Sequence, residues 1–153
     1  MARRPRPKAD TPIPTAASEV PPFSVDDYNL VAGSADLKEV RLISSTFKTE
    51  ASYYTLKDDE ESGLSNEFDW SLISYSYHED SRAAMAVYSM TVEVRAKRRS
   101  LLKIEDRYLI VYAGIDSGAK ESAVRAFMMR IGRFAVYPYF RAHVSQLSWA
   151  SKA

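Results

Sequence analysis

The sequence predicts an α+β fold in which a four-stranded antiparallel sheet is followed by a C-terminal helical segment. Two observations lead to this prediction. Four runs between Lys38 and Ile115 alternate in polarity or are rich in β-branched and aromatic residues, and polar breaks separate them. After Gly118 the apolar residues recur at every third or fourth position, which is the period of a helix. Because strands and helix are segregated along the chain, we expect the helix to pack on or beside the sheet.

The N-terminal residues 1–22 have a different composition from the rest of the chain. They contain six of the seven prolines and four cations, and they lack a regular apolar pattern. Such a segment cannot bury enough apolar surface to fold, so it is predicted to be a disordered basic tail. An arm for nucleic acid or anionic lipid is one role for it, but four cations without aromatic neighbours favour a solubilising leader. Residues 23–153 are then the folded domain.

Four runs of residues are interpreted as the strands of the sheet. They are Glu39–Tyr54, Glu67–Glu79, Ala83–Ala96 and Ser100–Ile115. The charged stretch Lys57–Gly63 is a loop between the first two, and a turn at residues 78–82 separates the second from the third. The alternation predicts a sheet with one buried face. Slips in its phase, at Ile73 and again within Ala83–Ala96, indicate bulges or a strong twist.

The helical segment contains a proline at an unexpected position. Apolar stripes precede and follow Pro138, and a proline in a helix interior costs about 3 kcal/mol. Since proline is accepted in the first turn of a helix, the helix is predicted to break between Gly132 and Pro138. One small sheet is expected to cover only one of the two stripes, so a second subunit is predicted to cover the other. The residues predicted for this oligomer interface are Val136, Tyr137, Phe140, Val144 and Leu147.

The sequence offers little for catalysis or for metal binding. It has no cysteine, which excludes a thiol nucleophile, a cysteine-ligated metal and a disulfide. His78 lies beside acidic residues on a turn, His143 lies on the helix, and such unrelated positions make a poor metal site. The five glycines form no phosphate-binding loop. We therefore predict no enzyme activity, no catalytic residues, no metal and no cofactor.

Composition also constrains the cellular location. No apolar run approaches the ~20 residues that cross a bilayer, and no apolar stretch of a secretory signal follows the basic start. Together with the absence of cysteine, this predicts a cytoplasmic protein.

A basic cluster raises a nucleic-acid-binding alternative. Arg95, Lys97, Arg98 and Arg99 lie at the connection between the third and fourth strands. The strands around it lack the interleaved basic and aromatic residues of a base-stacking surface, and the net charge is only +1. The pattern favours a solvated hairpin end and disfavours nucleic acid as a partner.

The region from Lys38 onward resembles the SecB-type protein-export chaperones. The resemblance depends on a turn that closes the fourth strand, Tyr112–Gly118, and on a motif of an apolar residue, an aromatic residue, proline, tyrosine and arginine in the helix. The matching positions of the motif are Val136, Tyr137, Pro138, Tyr139 and Arg141. The resemblance implies a SecB-like fold, a homodimer or homotetramer, and an ATP-independent holdase for non-native or precursor polypeptides in protein transport and translocation.

The resemblance also suggests where unfolded polypeptide binds. The family has an aromatic-rich stretch between its first two strands, and the matching residues here are Tyr53, Tyr54, Phe68 and Trp70. Exposed rings suit this role because they bury a large area at a low entropic cost. These four residues are therefore predicted as the client-binding site, although Phe68 and Trp70 are equally consistent with the core.

Two departures from the family pattern bear on partners. The family continues into a second long helix, whereas this sequence ends at Ala153, so the second helix is expected to be absent. SecB proteins are usually acidic where they dock the export motor ATPase, whereas this chain is nearly neutral. A narrower client, such as the antitoxin bound by SecB-like chaperones of toxin–antitoxin systems, is therefore an alternative to general export.

Overall fold

The computed structural model describes residues 22–150, the last two without their side chains. In this part of the chain the elements are α1 (Val25–Ser34), β1 (Asp36–Thr49), α2 (Ala51–Leu56), β2 (Leu64–His78), β3 (Ala83–Ala96), β4 (Arg99–Ala113) and α3 (Glu121–Ala150). The predicted α+β class, with an antiparallel sheet and a C-terminal helix, is confirmed. The predicted tail lies, except for Pro22, outside the described residues.

The four strands form one antiparallel sheet in the order β1-β4-β3-β2. Tight turns connect β2 to β3 and β3 to β4, so that β1 and β2 become the two edges. A register shift between Leu72 and Ser74 places the bulge at Ile73, which confirms the predicted phase slip. A similar shift at Ile43 lies on β1. Because each bulge turns the following side chains to the other face, both edge strands keep an apolar face toward the core.

Helix α1 was not predicted from the sequence, although the residues at its start form a recognisable N-terminal capping signal. The hydroxyl of Ser24 accepts a hydrogen bond from the Asp27 backbone at 3.0 Å, and the Asp27 carboxylate accepts one from the Ser24 backbone at 3.4 Å. This reciprocal pair is a capping box, encoded by the segment Ser-Val-Asp-Asp. Hydrogen bonds from Ser24 and Lys120 lower the pKa of Asp27. The ion pair with Lys120, at 3.0 Å, ties α1 to the start of α3.

The prediction that the first strand continues to Tyr54 is wrong. β1 ends at Thr49, and the short helix α2 follows. The backbone N–H of Glu50 still donates to the carbonyl of Leu101 at 2.8 Å, after which the chain leaves the sheet. The topology explains the change, because β1 and β2 are opposite edges and the connection must cross the end of the sheet.

The prediction of a helix break near Pro138 is also wrong, since α3 is one helix of 30 residues. Residues of both apolar stripes of α3 pack on the sheet of the same chain, and Val136 and Phe140 are 0% and 3% exposed. Burying two such side chains contributes roughly 3–6 kcal/mol, which offsets the ~3 kcal/mol cost of one interior proline. The continuous helix therefore gains more from packing than it loses at Pro138.

The core lies between α3 and one face of the sheet. Its largest fully buried residues on the central strands are Tyr88, Met90, Ile104 and Ile110. Helix α3 contributes Val124, Phe127 and Met128 from its first half, and α1 contributes Val31. Within residues 22–150, no helix is long and apolar enough to cross a membrane.

Candidate functional site

A groove of about 410 Å³ lies between the edge strand β2 and helix α3. Its lining consists of apolar and aromatic side chains with one cation, namely Phe68, Trp70, Met90, Arg133, Phe134 and Tyr137. Three of the rings are open to solvent, because Phe68, Phe134 and Tyr137 are 49%, 60% and 44% exposed. Exposed rings gathered in one concave place are unusual in a soluble monomer and indicate a binding surface.

The local structure explains why these side chains converge. Phe68 and Trp70 are two positions apart on β2, so they project from the same face of the sheet. Trp70 pairs with Met90 on the neighbouring strand, which makes Met90 the floor of the groove. Phe134 and Tyr137 are three positions apart on α3 and therefore lie on one side of the helix.

Ring contacts fix the walls of the groove. The ring of Phe68 lies 5.6 Å from that of Tyr137, edge to face, and 5.9 Å from that of Phe140. Trp70 is half-buried, with its ring 6.3 Å from the core residue Tyr88. Because each wall ring contacts a neighbour or the core, the groove is formed before any ligand binds.

Among the described residues that line the groove, Arg133 carries the charge. Its guanidinium carbon lies 4.9 Å from the centroid of the Trp70 ring and 4.6 Å from that of Phe134, which are cation–π distances. Its Nε atom is buried and has no hydrogen-bond partner. Arg133 therefore places a desolvated donor among apolar side chains.

The groove also borders a free strand edge. β2 is the last strand of the sheet, and no strand among residues 22–150 pairs with its outer edge. An extended peptide can add to such an edge through main-chain hydrogen bonds while its side chains fill neighbouring pockets.

The four residues predicted to bind clients fall into two groups. Phe68 and Trp70 lie in the groove, whereas Tyr53 and Tyr54 lie on α2, where their rings contact each other at 5.3 Å. Tyr53 also packs against the core, and Lys57 approaches the Tyr54 ring at 5.4 Å. The structure thus brings together two of the four, and the client-binding role of all four stays a prediction.

Most of the predicted interface residues on α3 pack against the core of their own chain. Val136 and Phe140 are buried, and Val144 and Leu147 are partly buried against the same core. The expectation that one sheet covers only one stripe is therefore incorrect, because this sheet covers residues of both. Tyr137 is the exposed member of the set, and it lines the groove.

The basic cluster between β3 and β4 is partly neutralised. Arg95 pairs with Glu93 at 2.8 Å and with Glu67 at 3.7 Å, and Arg99 pairs with Glu50. Lys97 has a φ of 57° at the hairpin turn. The cluster is thus a hairpin end with internal ion pairs, as the sequence indicated.

Sequence reasoning missed Arg133 and Phe134 as groove residues. The adjacent cation and ring would have signalled a cation–π site only if the position of β2 beside this part of α3 had been known. Within the described part of the chain, no cluster of three metal-ligating side chains is present.

The fold is similar to that of a known protein, although the sequence is not. No protein-family model matches the chain, and no curated protein matches its sequence. Among solved structures, the fold is similar to that of Rv1957, a SecB-like chaperone of Mycobacterium tuberculosis in complex with a ChAD peptide from the Rv1956 HigA1 antitoxin. The TM-score is 0.65 at 15% identity, and the match covers 82% of this chain and 88% of that chain. The similarity shows a SecB-like fold.

Proposed function

We propose that this protein is an ATP-independent chaperone that holds non-native polypeptide segments in the groove between β2 and α3. The carrying observation is the set of three exposed rings, Phe68, Phe134 and Tyr137, around a preformed concave surface. Such a surface buries apolar side chains of many sequences and requires no nucleotide. The SecB-like fold supports the same function.

A dedicated client is the second candidate. The similar structure of Rv1957 holds a peptide from an antitoxin, which favours a toxin–antitoxin client over general export. A cytoplasmic location, an oligomeric form and docking to an export motor accompany the proposal as expectations from the resemblance. Among the predicted interface residues, Tyr137 is the exposed one, so it is the position at which contact with a second subunit is tested, since Phe140 lies in the core.

Aggregation suppression tests the proposed function. A reduced, unfolded client is diluted into buffer with increasing amounts of the protein and without ATP, and light scattering follows aggregation. We expect suppression near stoichiometric ratios and no further effect of added ATP. Unchanged aggregation at several-fold excess contradicts the proposal, and strong salt-sensitive oligonucleotide binding in its place would favour the basic cluster as the functional surface.

A further inference from the structure

Helix α3 is strongly basic, although the chain as a whole is nearly neutral. It carries four arginines against one acidic residue, Glu121, whereas the net charge of the entire chain is +1. The arginines are Arg125, Arg130, Arg133 and Arg141. Among the described residues, the ion pairs of the molecule leave these four without a carboxylate within 4.0 Å.

Two of these arginines face the groove region. Arg133 lines the groove itself, and Arg141 lines an adjoining depression on the far side of Tyr137. The nearest carboxylates on β2, Glu67 and Asp69, alternate with Phe68 and therefore belong to the opposite face of the sheet. The groove is consequently apolar within and positively charged along its α3 side.

Arg133 lies among aromatic side chains and has no carboxylate partner among the described residues. Its guanidinium is held between two rings, and its buried Nε atom lacks a partner. Because Arg133 lines the groove and is only half-buried, its terminal N–H groups can donate to an acceptor that a ligand supplies. A carboxylate suits the planar guanidinium fork, because it accepts two parallel hydrogen bonds.

We infer that the groove selects extended segments in which an aspartate or glutamate lies two residues from an apolar or aromatic residue, on the same face of the segment. In this arrangement the apolar residues contact Phe68, Phe134 and Tyr137, while an acidic side chain reaches Arg133 and a second one reaches Arg141. The inference depends on the proposed function, because it names the class of polypeptide that the same groove prefers. It also makes Arg133 a determinant of specificity.

Three labelled synthetic peptides test this preference by fluorescence anisotropy. They share the same aromatic and aliphatic residues and differ at two positions that lie on the same face, two residues from an apolar residue. These positions are acidic, neutral (Ser and Gln) or lysine. At low salt we expect the acidic peptide to bind about ten-fold more tightly than the neutral one, and the lysine peptide to bind most weakly. In 1 M salt the three affinities should converge, because screening weakens the charge contribution.

Variants separate a role in specificity from a structural one. Arg133→Gln should lower the affinity for the acidic peptide about ten-fold more than it lowers the affinity for the neutral peptide. Arg125→Gln is the matched control, since Arg125 is an exposed arginine of the same helix outside the groove. Thermal melts should show that both variants are folded.

The outcomes distinguish the inference from the proposed function. Equal binding of acidic and neutral peptides, or equal losses for both in Arg133→Gln, overturns the acidic preference but leaves a chaperone groove. Failure of all three peptides, together with failure to suppress aggregation, overturns both. Tightest binding of the lysine peptide overturns the inference, because it shows that Arg133 does not determine which peptide binds.

Discussion

Gly132 of α3 lies directly over the ring of Tyr88 on β3. A Cβ atom at position 132 would come within 2.6 Å of the Tyr88 Cζ atom and 2.9 Å of the Ile110 Cδ1 atom. The Tyr88 hydroxyl donates a hydrogen bond to the carbonyl of Met128, one turn earlier in the helix. This contact sets the distance between α3 and the sheet, and hence the width of the groove beside it.

Gly132→Ala should destabilise the protein, against the usual trend in helices. Alanine is favoured over glycine by about 1 kcal/mol in a helix interior, but here the added methyl group meets a packed core. We expect a loss of roughly 1–3 kcal/mol in the free energy of unfolding, measured by urea denaturation. Gly33→Ala in α1 is the control, because no atom lies within 4 Å of its added Cβ. If both variants gain stability, Gly132 does not lie as close to Tyr88 and Ile110 as in this structure.

Asp106 and His143 should behave as a coupled pair. Asp106 is completely buried on β4, and its Oδ2 atom lies 2.6 Å from Nδ1 of His143 on α3. His143→Ala leaves the buried carboxylate with only the Tyr108 hydroxyl as a partner, at 3.3 Å, and the expected loss is roughly 3 kcal/mol. The double variant Asp106→Leu with His143→Leu should recover most of that loss. Additive losses in the double variant would show that the two residues act independently.

Stability should fall at alkaline pH. Burial raises the pKa of Tyr88 and of Tyr108 above the ordinary tyrosine value of about 10. The unfolded chain therefore releases these protons first, so their contribution is fully present below pH 10 and is lost as the pH rises further. Urea denaturation between pH 8 and 11 should show this decline, with a smaller slope in Tyr88→Phe. An equal slope in Tyr88→Phe and in the exposed-site control Tyr139→Phe would refute the assignment to Tyr88.

The predicted client-binding residues Tyr54 and Trp70 should respond differently to truncation. Tyr54→Ala removes a side chain from the short helix α2, so the melting temperature should change little while client affinity falls. Trp70→Ala removes contacts to Tyr88 and Arg133, so both the melting temperature and client affinity should fall. Full client affinity in a folded Tyr54→Ala protein would show that α2 is not part of the binding site, which would then consist of the groove only.

The sheet was predictable from the sequence because its signals are local. Alternating polarity gave the four strands, and the phase slip at Ile73 gave the bulge in β2. The capping box at Ser24 is an equally local signal for α1, which the strand-based interpretation overlooked. In contrast, the end of β1 at Thr49 depends on the order of strands in the sheet, which no short window of sequence encodes.

The behaviour of α3 and the position of the groove depend on long-range contacts. Pro138 has a definite local cost, but the burial of Val136 and Phe140 against the sheet decides the outcome. The groove requires Trp70 and Arg133 to meet across 63 positions of sequence, which only the packed fold determines. Sequence patterns therefore predicted the two β2 rings of the groove as binding residues, but not the groove residues on α3.

Tyr137 and Tyr139 provide the most direct test of the central claim, that the groove holds client polypeptide. Both are exposed tyrosines of α3, 44% and 51%, but of the two Tyr137 alone lines the groove. The measurement is the affinity for a labelled, permanently unfolded client, with thermal melts of each variant beside it. We expect Tyr137→Ala to weaken binding about thirty-fold, as for the loss of an aromatic anchor, and Tyr139→Ala to change it less than two-fold. Equal affinity of the two folded variants would contradict a client site in this groove.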